Sequence, residues 1–185
     1  MVTISTIEQA QQRNTKAQKA LFEQYANSIY RLSFRYLREQ MEAEDVVSET
    51  FCIAFEKMKK ASFSNVYFFE AWLKKIAVNE ALKALKKRTN FYLFSNFDFE
   101  SVSVHEEAIE ALTTTQILEL VAQLPVGYRT VFNLYEIEGY SHAEVAKMLN
   151  ISEGTSKSQL SKGKAILQKR VIELNQEYGK SKIIR

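Results

Sequence analysis

Apolar side chains recur at spacings of three and four residues through most of the first ninety residues, and this pattern limits the fold to packed helices. In residues 17–37 the stripe consists of Leu21, Tyr25, Ser28, Ile29, Leu32 and Tyr36. Similar stripes run through residues 43–60 and 69–88. Only 5 glycines and 1 proline occur in 185 residues, so few residues interrupt helices. Because three striped helices are enough for a small bundle, the sequence predicts an all-α fold.

The helical pattern stops near residue 90 and resumes near residue 116. The intervening segment mixes aromatic, serine, asparagine and acidic side chains without a helical period. Beyond it, with Pro125 in the first turn of the second helix, the pattern predicts helices at 116–124, 126–137, 141–149 and 152–172. We therefore predict two small helical domains joined by a flexible linker and followed by a polar, fraying tail: 1–90, 91–115 (the linker), 116–174 and 175–185 (the basic tail).

The charged residues are unevenly distributed along a chain whose formal net charge is +3. Residues 1–90 sum to +5, residues 91–115 to −5 and residues 116–185 to +3. Two basic segments therefore flank an acidic, aromatic one, which suggests a polyanionic partner. On charge alone, ordinary solvated helix surfaces are the simpler explanation.

The sequence lacks the usual signatures of secretion, membrane insertion and catalysis. We see no basic-then-apolar signal peptide and no apolar run of membrane-spanning length, which favours a cytoplasmic protein without membrane contact. The single cysteine, Cys52, excludes an internal disulfide and has no obvious neighbouring base. His105 and His142 are far apart, and there is no glycine-rich phosphate loop or metal-ligand cluster. We expect a protein that is not an enzyme and needs no cofactor.

The segment from Ser141 predicts a helix-turn-helix. Ser141 and Glu144 form an S-x-x-E capping box at a helix start. Asn150 tolerates the left-handed conformation of a tight turn, Ile151 can fill the corner between the helices, and Ser152 can cap the next helix. Two helices joined by about three residues describe this DNA-binding motif.

In such motifs the second helix enters the major groove and reads bases with its first turns. Four polar side chains share that face here: Lys157, Ser158, Ser161 and Lys162. Lysine donates to guanine acceptors and serine pairs with several base edges. Three further cations could meet phosphates: Lys164, Lys169 and Arg170. The alternative is a plain helical hairpin with a basic solvent face.

Three stretches decide between these possibilities. They are MEAEDVVSETFCIAFEKM, FFEAWLKKIAVNEALKALKKR and LPVGYRTVFNLYEIEGYSHAEVAKMLNISEGTSKSQLSKGK. In this order they resemble the signature stretches of extracytoplasmic-function sigma factors, which are promoter-recognition subunits of bacterial RNA polymerase. The resemblance covers about residues 17–172, so we expect a region-two-like bundle and a region-four-like helix-turn-helix domain.

The resemblance implies a polymerase-binding surface in the first domain. Family members bind the clamp helices of the polymerase β′ subunit through an acidic helix, and their region four meets the β flap. The matching positions here are Asp45, Ser48 and Glu49. The helical pattern independently places Asp45, Glu49, Cys52 and Glu56 on a face directed away from the apolar stripe. Without the resemblance, a solvated acidic face would be the simpler interpretation.

The resemblance also implies contacts to the minus-ten promoter element. Four residues of the third stripe's helix share one face suited to phosphates and a base edge: Lys75, Asn79, Lys83 and Lys86. The family's pocket loop for an unstacked base corresponds to residues 60–66. Phe63 and Tyr67 are nearby aromatics that could be surface or core, whereas Trp72 lies on the apolar side and is expected in the core.

For the minus-thirty-five element, the resemblance assigns base reading to the four recognition-helix residues and phosphate contacts to Ser141, His142 and Thr155. Several positions depart from the family pattern. Ser156 replaces a common valine, which should weaken helix packing or make a local hydrogen bond. Gln159 replaces a common arginine, which should lose one phosphate charge. Gly163 replaces a common alanine, which should cost about 1 kcal/mol of helix stability. Glu80 falls on an apolar face and is expected to pair with Lys83 or Lys87.

The family also implies promoter DNA, core RNA polymerase and an anti-sigma protein as partners, with the free protein a monomer. Family linkers thread through the polymerase, and an acidic linker could mimic RNA there; folding onto its own domains is the alternative. Two rival functions remain. One is a stand-alone helix-turn-helix regulator with an unrelated helical sensor domain. The other is a helical interaction protein whose DNA-binding elements have decayed.

Overall fold

The structure is a computed structural model that describes residues 2–88 and 114–183, with side chains described for 116–174 of the second range. All the regular elements in these ranges are helical, which confirms the predicted all-α fold. The chain divides into two compact units, Met1–Asn90 and Phe91–Arg185. Nearly all of the predicted linker lies outside the described residues.

The first unit is a bundle of four α-helices. They are α1 (Ile4–Gln11), α2 (Thr15–Leu37), α3 (Gln40–Lys57), which ends in a 3-10 turn (Met58–Lys60), and α4 (Val66–Arg88). The last three correspond to the three predicted stripes. Helix α1 was not predicted; Thr3 caps it through a reciprocal pair of bonds with Thr6, and it buries Ile7 and Ala10.

Helices α2, α3 and α4 pack against one another around an apolar core. The largest fully buried side chains of this unit are Tyr36, Phe69, Ile7, Leu21, Ile29, Leu37, Met58, Leu73, Leu85 and Val78. A half-buried polar contact joins α2 to α4, where the Tyr25 hydroxyl donates to Glu70 Oε1 at 3.0 Å. Burial, reinforced by this bond and the Glu70 charge, raises the pKa of Tyr25 to about 12.

An aromatic cluster covers one end of this core. The Phe63 ring centroid lies 5.3 Å from that of Phe69 and 5.1 Å from that of Trp72. Trp72 is therefore packed but only half-buried, not fully in the core as predicted. Tyr67, in contrast, is 73% exposed. Phe63 therefore packs against the core, whereas Tyr67 lies on the surface.

The second unit contains the remaining helices. They are α5 (Thr114–Ala122), α6 (Val126–Phe132), which continues as a π-helical turn (Asn133–Ile137), α7 (His142–Leu149) and α8 (Glu153–Ile183). Helix α8 runs through residues 175–183, so the part of the chain predicted to be a fraying tail continues the last helix. Helix α6 begins directly after Pro125, which occupies its N-cap.

The second unit is held together by α6 and α8. Val121, Leu124 and Tyr128 form its buried cluster, against which Ile166 and Leu167 pack. Arg129 is buried as well, and its guanidinium donates to the carbonyl of Leu124 at 3.0 Å and to that of Ala122 at 3.3 Å. These bonds satisfy carbonyls that the end of α5 leaves without helical partners. Within the described residues, no helix is long and apolar enough to cross a membrane.

The Gln11 side chain joins α1 to the end of α3. Gln11 Nε2 donates to the carbonyl of Met58 at 2.8 Å and to that of Ala61 at 2.7 Å. Gln18 adds a bond from α2 to the carbonyl of Ala10. The Gln11 amide therefore fixes the start of the loop that leads from the 3-10 turn to α4.

Replacing Gln11 with alanine should lower the free energy of unfolding of the first unit by about 1–2 kcal/mol, because two carbonyls lose their donor. Trp72, the only tryptophan of the chain, reports on this unit in a urea titration followed by fluorescence. Gln12→Ala is the matched control, because the Gln12 side chain is exposed. Equal stability losses in the two variants would contradict a specific role for Gln11.

Candidate nucleic-acid interface and acidic groove

The helix-turn-helix is present in the second unit with the predicted caps. The Ser141 hydroxyl accepts from the Glu144 N–H at 3.3 Å, and the Glu144 carboxylate accepts from the Ser141 N–H at 2.9 Å. Asn150 adopts the left-handed conformation with φ of 56°. Ser152 Oγ accepts from the Thr155 N–H at 2.9 Å at the start of α8. The capping box, the turn and the second cap are therefore confirmed.

The predicted base-reading residues lie on the first three turns of α8. Lys157, Ser158 and Ser161 are exposed, and Lys162 is half-exposed. The Ser158 hydroxyl donates back to the carbonyl of Thr155 at 3.1 Å, which leaves its oxygen lone pairs facing solvent. A helix with these side chains presents both cationic donors and hydroxyl groups to a groove.

Two of the additional cations of α8 are engaged within the unit. Lys164 Nζ lies 2.6 Å from Glu136 Oε1 in the π-helical turn, and Arg170 donates to Gln123 in the turn that follows α5. Lys169 is exposed. Lys164 and Arg170 therefore hold α8 against neighbouring elements, a role that the sequence analysis had not assigned to them.

The predicted phosphate-facing residues sit where α7 and α8 begin. The Ser141 hydroxyl also donates to Glu144 Oε2 at 2.8 Å, and the Thr155 and Ser152 hydroxyls lie 2.9 Å apart. His142 is the first residue of α7; its ring stacks on Tyr135 at 4.2 Å, and its Nδ1 lies 2.9 Å from Ser156 Oγ. These local bonds fix the orientation of all three side chains.

The departures from the family pattern have structural consequences in α8. Ser156 is fully buried and bonds to His142. Gln159 is also buried, so its side chain packs inside the unit. A buried side chain does not reach a phosphate, so its placement does not support the expected loss of a phosphate charge. A Cβ atom on Gly163 would lie 3.4 Å from Tyr128 Cβ, an ordinary contact, so the crossing of α6 and α8 does not require glycine.

The first unit carries a groove of about 720 Å³ between α3 and α4. The groove is lined by Glu42, Asp45, Val46, Ser48, Glu49, Cys52, Glu80, Lys83, Ala84, Lys87 and Arg88. Asp45, Ser48, Glu49 and Cys52 are exposed, whereas Val46 and Val47 beside them are buried. The exposed acidic face predicted for α3 is therefore confirmed as a surface feature.

Ion pairs occupy some of the charges of this groove. Arg88 lies 3.0 Å from Glu42 and also donates to the carbonyl of Leu37. Lys83 pairs with Glu80 at 3.1 Å, which settles the expected pairing of Glu80 in favour of Lys83. Among the described residues, neither Asp45 nor Glu49 has an ion-pair partner. These two carboxylates are available to an incoming cation.

The four residues predicted to contact the minus-ten element do not all lie on the same surface. Lys75, Asn79 and Lys86 are exposed on α4. Lys83 is exposed too, but it lines the acidic groove opposite α3 and is paired with Glu80. Lys83 therefore borders both candidate surfaces.

An exposed aromatic pair lies at the start of α4, and the sequence analysis identified only one of its members, Tyr67. Phe68 is 55% exposed beside Tyr67, with 6.2 Å between the ring centroids. Asn65 Oδ1 accepts from the Phe68 N–H and caps the helix there. The signal was present in the run Tyr67-Phe68-Phe69, because only Phe69 fits the apolar stripe of α4. Both rings of this pair are therefore exposed at the start of α4.

Comparison with known protein families matches both units. The family model described as Sigma-70 region 2 matches residues 21–91, and the model described as Sigma-70, region 4 matches residues 114–167. Together the two matches cover more than half of the chain. They contain the acidic groove and the helix-turn-helix, respectively.

Two curated relatives extend along nearly the whole chain. The ECF RNA polymerase sigma factor SigW of Bacillus subtilis is 28% identical over 94% of this chain and 99% of its own length. The ECF RNA polymerase sigma-E factor of Haemophilus influenzae is 26% identical over 89% of this chain and 93% of its own length. Each alignment therefore extends over most of both chains.

Two solved structures share the fold. CnrH, solved in complex with the cytosolic domain of CnrY, has a TM-score of 0.51 and 19% identity, and covers 91% of this chain and 96% of its own. The sigma factor RpoE of Bartonella quintana, solved with the anti-sigma factor NepR, has a TM-score of 0.50 and 23% identity, and covers 84% and 96%. At these identities the likeness supports the fold.

The N-cap of α3 provides a test of how the acidic face is held. Backbone N–H groups of Glu42 and Met41, with the nearby Arg88 charge, lower the pKa of Glu39 below its usual range. A carboxylate with a lowered folded-state pKa stabilises the fold above its unfolded-state pKa, and this contribution is lost as the pH falls through the folded-state pKa. Wild type should therefore be more stable than Glu39→Gln at neutral pH, and the difference should vanish in acid. Urea titrations of both proteins across this pH range measure it; a pH-independent difference would contradict the assignment.

Proposed function

Because the chain belongs to the sigma-70 family of RNA polymerase sigma factors, in the extracytoplasmic-function group, we propose that it binds core RNA polymerase and directs transcription initiation at specific promoters. In this role the chain acts in the cytoplasm as a binding subunit, and the chemistry of RNA synthesis belongs to the polymerase. The first unit binds polymerase and the minus-ten element, and the second binds the minus-thirty-five element.

The observation that carries this proposal is the exposed pair of carboxylates on α3. Asp45 and Glu49 line the groove without an ion-pair partner among the described residues, and Ser48 lies between them. Charges that remain unpaired in the free protein can form charge-assisted hydrogen bonds with basic side chains of a partner. We assign this surface to the β′ clamp helices of the polymerase. The β flap is the proposed contact of the second unit.

Charge reversal on α3 tests this assignment. The double variant Asp45→Lys/Glu49→Lys should bind core polymerase at least about tenfold more weakly, because like charges would then face each other across the interface. The matched control Glu8→Lys/Glu23→Lys makes the same change in net charge at exposed positions of α1 and α2. Binding is measured by titrating labelled protein with core polymerase.

Two outcomes of this titration would count against the proposal. One is failure of the folded wild-type chain to bind core polymerase at all, together with salt-sensitive binding to duplex DNA. That result would favour the stand-alone regulator. The other is equal loss of affinity in the groove variant and the control variant, which would show that net charge, and not the groove, drives association.

The second unit reads the minus-thirty-five element as duplex. Lys157, Ser158, Ser161 and Lys162 contact base edges from α8, while Ser141, His142 and Thr155 contact phosphates. Support comes from the exposure of this face at the start of a capped recognition helix. A helix in this position approaches the major groove with its first turns.

Substitution of one lysine on this face and of one lysine away from it tests which surface of the second unit binds DNA. Lys157→Ala should weaken binding of the holoenzyme to a duplex carrying its upstream promoter element by about tenfold and should reduce the salt dependence if the lysine also neutralises a phosphate. Lys147→Ala, an exposed lysine on α7, should leave affinity unchanged. Fluorescence anisotropy at several salt concentrations measures both. Equal effects of the two substitutions would contradict the assigned face.

We further propose that the first unit captures the melted minus-ten element. Lys75, Asn79, Lys83 and Lys86 contact the strand, and residues 60–66 hold an unstacked base. The exposed Tyr67 and Phe68 rings favour this assignment, since stacking surfaces combined with lysines suit single strands. Lys83 contributes to strand binding only if its pairing with Glu80 is exchanged for a phosphate contact.

An anti-sigma protein is the proposed regulator. The Bartonella quintana sigma factor that shares this fold was solved with the anti-sigma factor NepR. A protein of that type would inactivate this chain by covering surfaces that polymerase requires, the α3–α4 groove among them. In the absence of such a partner, we propose that the free chain is a monomer.

A further inference from the structure

A histidine at the start of α7 is held by two contacts from two other elements. The His142 ring stacks on Tyr135 of the π-helical turn, with 4.2 Å between centroids and 21° between planes. Its Nδ1 lies 2.9 Å from the hydroxyl oxygen of Ser156 on α8. Stacking fixes the plane of the ring, and the hydrogen bond fixes its rotation within that plane. The direction of the other ring nitrogen, Nε2, is therefore determined.

The Ser156 hydroxyl is placed to donate to His142. Two other buried helical hydroxyls donate back to the carbonyl four residues earlier, Ser33 to Ile29 at 2.9 Å and Thr130 to Val126 at 2.7 Å. The buried Thr50 hydroxyl of α3, in contrast, has no hydrogen-bond partner among the described residues. Among the described residues Ser156 makes no such bond, and its one side-chain bond is to Nδ1. If it accepted from Nδ1, its own proton would be buried without an acceptor, at a cost of about 1–3 kcal/mol.

This direction of the bond selects one tautomer of the ring. A neutral imidazole carries one N–H, so an Nδ1 that accepts leaves the proton on Nε2. The Nε2–H group is then a donor with a preset direction, and no rotamer has to be ordered when a phosphate binds. With the opposite tautomer, Nε2 would present a lone pair, which repels a phosphate oxygen.

We propose that Ser156 is a positioning residue for DNA binding: its buried hydroxyl, together with the Tyr135 ring, fixes His142 as an Nε2–H donor to a backbone phosphate of the upstream promoter element. This inference rests on the proposed function for its ligand, and on the contacts within the second unit for the state of the ring. Ser156 itself is fully buried and does not touch DNA.

The state of the ring is tested without DNA. The full chain is labelled with 15N-histidine in a His105→Gln background, which leaves His142 as the only histidine. At about pH 8, where an ordinary histidine is neutral, long-range ring spectra should show a protonated Nε2 and an unprotonated Nδ1. Ser156→Ala should give a mixture of tautomers. A protonated Nδ1 in the Ser156 protein, or an unchanged tautomer in Ser156→Ala, would overturn the proposal.

The consequence for DNA is tested with an isosteric pair of substitutions. Ser156→Thr and Ser156→Val fill the same volume, but only threonine retains the hydroxyl. In holoenzymes bound to a duplex that carries the upstream element alone, Ser156→Val should bind about fivefold more weakly than Ser156→Thr, the value of one hydrogen bond of about 1 kcal/mol. In a His142→Ala background the two should bind equally.

The outcomes separate this inference from the proposed function. Equal affinities of the threonine and valine variants, while Lys157→Ala still weakens binding, would overturn the role of Ser156 and leave the function intact. A difference that persists in the His142→Ala background would show that Ser156 acts through packing and would also overturn it. Failure of the wild-type holoenzyme to bind any duplex would overturn the proposed function and the phosphate contact, while the ring spectra would still report on the hydroxyl.

Discussion

Burial of one face of α3 is the constraint on which the acidic groove depends. Helix α3 is packed between α2 and α4 and buries Val46, Val47, Phe51 and Ala54. Since a helix has a fixed rotation per residue, burial of these positions forces Asp45, Ser48 and Glu49 toward solvent. The acidic groove is therefore a consequence of core packing, and Glu39, Arg88 and the Gln11 amide fix the two ends of the helix that carries it.

In the second unit, packing holds the short helix α6 against the long helix α8 at a fixed crossing. Apolar residues of α6 and α8 supply most of this packing, while Arg129 satisfies the end of α5. Two polar contacts orient α8 relative to its neighbours. Lys164 pairs with Glu136 of the π-helical turn, and Ser156 bonds to His142 of α7. Several polar side chains of α8 thus face the interior, whereas Lys157, Ser158 and Ser161 in its first turns are exposed.

Most of the helices could be predicted because apolar periodicity is a local signal. The stripes at 17–37, 43–60 and 69–88 located α2, α3 and α4, although each helix begins two or three residues before its stripe. Helix α1 could not be predicted in this way, since eight residues bury only Ile7 and Ala10 and its docking depends on the contact of Gln11 with residues 47 and 50 positions away. The extension of α8 through residues 175–183 was missed because its composition is polar.

The exposure of a site residue could be predicted where it depends on the residue's position around its own helix. It could not be predicted where it depends on which helices pack together. The exposed face of α3 and the caps of α7 and α8 depend on local spacing. The burial of Ser156 and Gln159, the pairing of Lys164 and the position of Lys83 beside the acidic groove depend on which helices pack together. The family resemblance supplied the functional roles, and the contacts show how the side chains assigned to those roles are held.

Transcription with purified components tests whether the chain directs initiation by core RNA polymerase. Core RNA polymerase is mixed with this chain and with genomic DNA fragments, and the 5′ ends of the transcripts are mapped. We predict that transcripts begin at discrete sites only when the chain is present, and that they are lost with Asp45→Lys/Glu49→Lys. Unchanged start sites with and without the folded chain, despite sequence-specific duplex binding by the chain alone, would contradict it.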